Sequence, residues 1–112
     1  MAKVIITKKL EEEIQKLFKK ESIKILERMK ELENNPHMGK PIGHVSGTII
    51  KEIRYENYRF YCITDGFKLK MFEQSELQDL IIKFVRMSDK KSQQKVIDEI
   101  KDILRKFGEE KF

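Results

Sequence analysis

The hydrophobic period changes from helical to strand-like partway along this chain, and that change decides what it can fold into. Up to Leu32 apolar residues recur at helical spacing: Leu10, Ile14, Leu17 and Phe18, then Ile25, Leu26, Met29 and Leu32. From Ile49 to Phe72 they alternate by two. The first spacing puts one apolar stripe on each of two helices, and the second puts apolar side chains on one face of a strand. A helical first third followed by a run of strands reads as an α+β domain, neither an all-helical bundle nor an all-β sandwich.

The boundaries follow from local chemistry. Val4, Ile5 and Ile6 form a β-branched run that reads as a first strand, with Thr7 placed to cap the helix that follows. The second helix begins at about Ser22 and stops at Asn34-Asn35-Pro36, because proline disfavours helix in the residue before it. Two helices joined so closely predict an antiparallel hairpin. Residues 36 to 48 hold both prolines with Gly39, Gly43 and Gly47 and read as a loop. Ile49 to Arg54, Tyr58 to Thr64 and Phe67 to Phe72 read as strands, the last two joined at Asp65-Gly66, a two-residue hairpin signal. Leu80 to Met87 is almost continuously apolar and suits a strand covered on both faces. Val96, Ile100, Ile103, Leu104 and Phe107 mark a closing helix, with Gly108 as its stop. The expected fold is a single α+β domain over residues 1–112. An N-terminal strand and helical hairpin pack on a mainly antiparallel four- to five-stranded sheet, with a C-terminal helix.

Several function classes fall away. The 112 residues carry no apolar run of the roughly 18 to 20 that a membrane helix needs, and Met1 to Thr7 has no signal-peptide pattern, so the expected location is cytoplasmic with no membrane partner. Cys62 stands alone, and with only His37 and His44 beside it there is no zinc spacing, so neither a metal nor a cofactor is expected. The glycines of residues 39 to 47 lack the order of a phosphate-binding loop. Cys62 reads as a small core residue, and His37 and His44 as loop histidines.

Charge gives the positive evidence. Twenty-four Lys and Arg stand against 19 Asp and Glu, and the excess lies in the first two thirds; Lys83, Arg86, Lys90, Lys91 and Lys95 make a further basic segment against Asp89 alone. With Asp65-Gly66 as a turn, Thr64, Cys62 and Phe60 would pair with Phe67, Leu69 and Met71 towards the helices. Ile63, Tyr61 and Arg59 would then pair with Lys68, Lys70 and Phe72 on the other face. A second turn at Glu56-Asn57 sets Ile53 beside Phe60, and Arg54 beside Arg59. That face gathers Glu52, Arg54, Arg59, Tyr61, Lys68 and Lys70. Opposed arginines repel unless they share an anion, so the pair reads as a phosphate site. A solvated sheet face carrying charges as a matter of course is the plainer alternative. Tyr61 and Phe72 among the cations favour nucleic acid, whose bases stack while its phosphates are neutralised.

These residues resemble the RelE/ParE toxin superfamily over nearly the whole chain. The likeness rests on Asn35-Pro36 and Gly39-Lys40-Pro41-Ile42 after the helices, then on Glu52-Ile53-Arg54 and Asn57-Tyr58-Arg59-Phe60-Tyr61. Phe84-Val85-Arg86 with Ser88, Lys90, Lys91 and Ser92 is similar to the HigB-like branch. The resemblance implies a RelE-like fold and the toxin of a type II toxin–antitoxin system, a ribosome-dependent endoribonuclease that cuts messenger RNA by 2′-hydroxyl attack. It implies a small RelB-like antitoxin, the ribosome and mRNA as partners, and DNA reached only through the antitoxin complex. By matched position Arg54 and Arg59 would hold phosphate, Arg86 would be a third cation, and Tyr61 would stack on a base or donate a proton. Lys51, Lys68, Lys70, Lys90 and Lys91 would contact RNA. The chain departs from the pattern at Glu52, where a lysine is frequent, and at Met87, Ser88 and Asp89, where a tyrosine or histidine is frequent. Glu52 is then either a proton acceptor or the ion-pair partner of both arginines. The alternative is a non-cleaving toxin-fold protein that binds the ribosome or gyrase, or an inactive RNA-binding homologue.

Overall fold

Five strands form one sheet in the computed structural model, which describes residues 1–112. They are Lys3–Ile6 (β1), Lys40–Val45 (β2), Thr48–Tyr55 (β3), Tyr58–Asp65 (β4) and Ile81–Asp89 (β5), in the order β1-β5-β4-β3-β2. Three neighbouring pairs are antiparallel and β1 runs parallel to β5. The helices are Lys8–Phe18 (α1), Ser22–Lys30 (α2), Gly66–Met71 (α3) and Gln93–Phe107 (α4).

The sheet is covered on both sides. Leu10 and Ile14 of α1, with Ile25 and Met29 of α2, pack on Val4, Ile53, Phe60, Cys62, Ile82 and Phe84. On the other side Ile97, Ile100 and Leu104 of α4 pack on Ile50, Tyr61, Ile63 and Val85. The inner strand β5 therefore buries residues in both layers, as its continuous apolar run predicts. Between Phe84 and Arg86 it carries one residue more than β4 opposite, so Val85 is a bulge that brings an apolar side chain to the α4 side.

Local signals place the ends. Thr7 caps α1, its Oγ1 accepting from the Leu10 N–H at 3.3 Å. Gly108, at φ 77°, ends α4 in a backbone conformation that glycine adopts without strain. Gly39 has φ 99°, and a Cβ there would stand 3.3 Å from the Glu52 carbonyl, so the chain entering β2 needs glycine twice over.

Three expectations are corrected. Phe67 to Phe72 is not a strand: Asp65 caps α3, its carboxylate accepting from the Lys68 N–H at 3.1 Å, and the Gly66 N–H goes to the Gly47 carbonyl at 2.8 Å. The edge of β4 that this segment would have occupied is filled by β5, so Thr64, Cys62 and Phe60 pair with Ile82, Phe84 and Met87. Residues 40 to 45, expected within a loop, form the edge strand β2. Pro41 is tolerated because the edge needs no donor there and the register shifts between Pro41 and Gly43. The sheet face opposite α1 and α2 is not wholly solvated, because α4 covers one end of it. No helix is long and apolar enough to cross a membrane.

Candidate functional site

The turn at Glu56-Asn57 joins β3 to β4 in the expected register, with Ile53 opposite Phe60 and Arg54 opposite Arg59. Alternation puts Glu52 on the same face as the two arginines. At this end of the sheet a polar cluster replaces the apolar contact that α4 makes further along.

Glu52 is the centre of that cluster, with a side chain 1% exposed. Its Oε2 lies 3.4 Å from Arg54 Nε and its Oε1 lies 3.9 Å from Arg59 Nε. Gln93, the first residue of α4, donates its amide to Oε1 at 3.2 Å. The two guanidiniums differ in setting: the Arg54 side chain is 56% exposed and that of Arg59 only 7%. Arg59 Nη1 donates to the Asn57 carbonyl at 3.1 Å, while its Nε is a buried donor with no hydrogen-bond partner. Two permanent cations thus share one carboxylate, leaving surplus positive charge and an unsatisfied N–H. A buried donor left so costs about 1–3 kcal/mol.

The remaining candidates separate. Lys90 and Lys91 are exposed in the turn that leads to Gln93. That turn is held by the Asp89 carboxylate, which accepts from the Ser92 N–H and hydroxyl at 2.8 Å each, and these bonds hold the carboxyl below its ordinary pKa. Arg86 lies opposite Tyr61, but its Nε donates to Glu99 at 2.9 Å and its guanidinium sits 5.1 Å from the Phe112 ring centre. None of its hydrogen bonds or ion pairs reaches Glu52, Arg54 or Arg59.

Tyr61 is fully buried, with its hydroxyl 2.7 Å from Ser88 Oγ. Burial raises its pKa, against a smaller lowering by the Ser88 hydrogen bond. Its ring lies under α4, so the expectation that it stacks on a base is corrected. Lys51 is also corrected as an RNA contact. It is 1% exposed and donates to the carbonyls of Pro36 and Met38, tying β3 to the segment after α2, and burial lowers its pKa. Lys68 and Lys70 leave the sheet face altogether, because α3 carries them at the end of β4 remote from Arg59.

Two contributors have no signature in the sequence. Ser88 sits opposite Arg59 only because β5 is the neighbour of β4, and Gln93 is one polar residue among many on an amphipathic helix. Cys62 is buried as expected, with its thiol pushed up to about 12 by burial. No three His, Cys, Asp or Glu side chains converge to hold a metal. The chain matches no family model, no curated protein and no solved structure.

Proposed function

We propose that this chain is a RelE/ParE-type toxin acting as a ribosome-dependent endoribonuclease, with the Arg54–Arg59 end of its sheet receiving the RNA backbone. The observation that carries the reading is the pair of guanidiniums opposed over one buried carboxylate, with a donor of Arg59 unsatisfied. The order of motifs that resembles the superfamily supports it. A small antitoxin would neutralise the basic end, DNA would be met only through that complex, and work on translating ribosomes puts the protein in the cytoplasm.

The reaction would use this cluster on an RNA backbone held by the ribosome. The 2′-oxygen attacks the adjacent phosphorus, a 2′,3′-cyclic phosphate forms, and the 5′-oxygen leaves with a proton from solvent. Arg54, exposed, is free to follow the non-bridging oxygens, and Arg59, held by Asn57, offers a fixed N–H where negative charge grows. Glu52 is the carboxylate at hand to take the 2′-hydroxyl proton.

A second reading, a toxin-fold protein that arrests the ribosome or gyrase without cleaving, is favoured by one observation. Glu52 already accepts from Gln93 and faces both arginines, and the Tyr61 hydroxyl is closed off with Ser88, so neither is a free acid or base.

Primer extension on a message translated in a purified system separates the two. Wild type, Arg54→Ala and a ribosome-free control are compared, Arg54 being the arginine whose removal spares the core. Cuts seen only with ribosomes and lost in the variant establish the nuclease. Arrest with intact message establishes the second reading, and undisturbed translation overturns the ribosomal target.

A further inference from the structure

At the far end of the sheet from Arg54, α3 presents a second surface of unlike chemistry. Phe67 is 62% exposed, Met71 61% and Phe72 38%, and the two phenyl rings meet edge-on with centres 6.1 Å apart. Lys68 and Lys70 are exposed between them. Beside the patch a cleft of about 480 Å³ is lined by Pro41, Gly43, His44, Ile49, Phe67 and Lys70 among others, with no carboxylate in its lining. Contiguous exposed apolar side chains in a chain this charged mark a contact surface.

The position is independent of the arginine cluster. Leu69 and Ile49 belong to the layer beneath α1 and α2, whereas Arg54 lies on the opposite face, five residues further along β3 and so about 17 Å away.

The chemistry selects an occupant. A peptide adding as a strand to the open edge of β2 would need an unbroken row of backbone groups, and Pro41 lacks an N–H while the register shifts beside it. Aromatic faces beside Lys68 and Lys70, next to a cleft whose lining holds no carboxylate, fit bases that stack while their phosphates are neutralised. We infer that Phe67 and Phe72, with Lys68, Lys70 and His44, form a binding surface for single-stranded nucleic acid. The inference goes beyond the reading above and holds whether or not the arginine end cleaves.

The test is fluorescence anisotropy of a labelled oligouridylate twelve nucleotides long, titrated between 50 and 200 mM salt in roughly the range where phosphate contacts dominate. Wild type is compared with Phe67→Ala, with the double variant Lys68→Ala/Lys70→Ala, and with both repeated on Arg54→Ala. All four positions are exposed, so the fold is not at stake. Phe67→Ala should weaken binding about tenfold, the loss of one stacked base. The lysine pair should lower the slope of log affinity against log salt by about 1.4. Both effects should persist with Ala at position 54. Wild-type affinity and slope in the Phe67 and lysine variants would overturn the proposal. So would binding lost only with Arg54, which leaves the first reading intact, or a patch that takes polyglutamate and not the oligonucleotide.

Discussion

Arg54 and Arg59 face each other across β3 and β4 and reach the two oxygens of the same Glu52 carboxylate, yet one is half in solvent and the other is buried. Their removal should therefore differ in kind. Arg54→Ala gives up a screened contact and should cost at most about 1 kcal/mol in urea denaturation. Arg59→Ala strips a buried carboxylate of its buried cation and should cost about 3 kcal/mol or more. Equal costs would mean that Glu52 is not held as the distances imply.

Glu52→Gln separates neutralisation from proton transfer. It removes the anion that competes with phosphate, so a labelled RNA should bind several-fold more tightly. If the carboxylate takes the 2′-hydroxyl proton, cleavage should fall while binding rises. Weaker binding would show that the carboxylate serves chiefly to aim the arginines.

Lys51 is the cation that sequence reasoning would send to RNA, and its ammonium is spent inside the fold. Lys51→Met keeps the buried stem but orphans two carbonyls, at about 1–3 kcal/mol each. Thermal or urea unfolding should register that loss, while RNA affinity stays at the wild-type value.

The Cys62 thiol should resist iodoacetamide at pH 8 in the folded protein and react once urea unfolds it. Its folded value, raised by burial to about 12 from an ordinary 9.0, fixes the sign of the pH effect. Its contribution is complete below pH 9 and is lost as pH rises from 9 towards 12, because only the unfolded chain releases the proton there. The stability of wild type relative to Cys62→Val should decline across that window by up to about 1.4 kcal/mol per pH unit.

Asp65→Ala should cost about 1 kcal/mol through the lost cap of α3, and Asp65→Asn far less. A hairpin turn at this position would instead be indifferent to a side chain that accepts from Lys68.

That last contrast shows what the sequence can and cannot reveal. The register from Ile53 to Phe60 is legible because strict alternation brackets a short polar turn, and the opposed arginines come with it. Asp65-Gly66 is ambiguous, since aspartate before glycine opens a hairpin or caps a helix equally well, and Phe-Lys-Leu-Lys-Met alternates by two while only Leu69 is buried. Strand β2 hides behind Pro41 and Gly43, residues an edge tolerates and an inner strand does not. Ser88 and Gln93 were out of reach because they join the site through the pairing of β5 and the seating of α4, contacts made across long stretches of chain. Tyr61 carries the mark of a surface aromatic in its neighbours Arg59 and Arg54, and only the position of α4 reveals it as core.

The pairing of Lys3 with Ile81 sets a schedule as well as a shape. A chain leaving the ribosome from its N-terminus holds β1 without a partner until β5, with Ser88, is out, and Gln93 emerges later still. Long-range parallel pairing is slow for the same entropic reason. Helices α1 and α2 and the β3–β4 hairpin can form early, but the cluster around Glu52 is finished only when Gln93 has been added. A copy ending after β4 would carry both arginines and Glu52 but neither Ser88 nor Gln93.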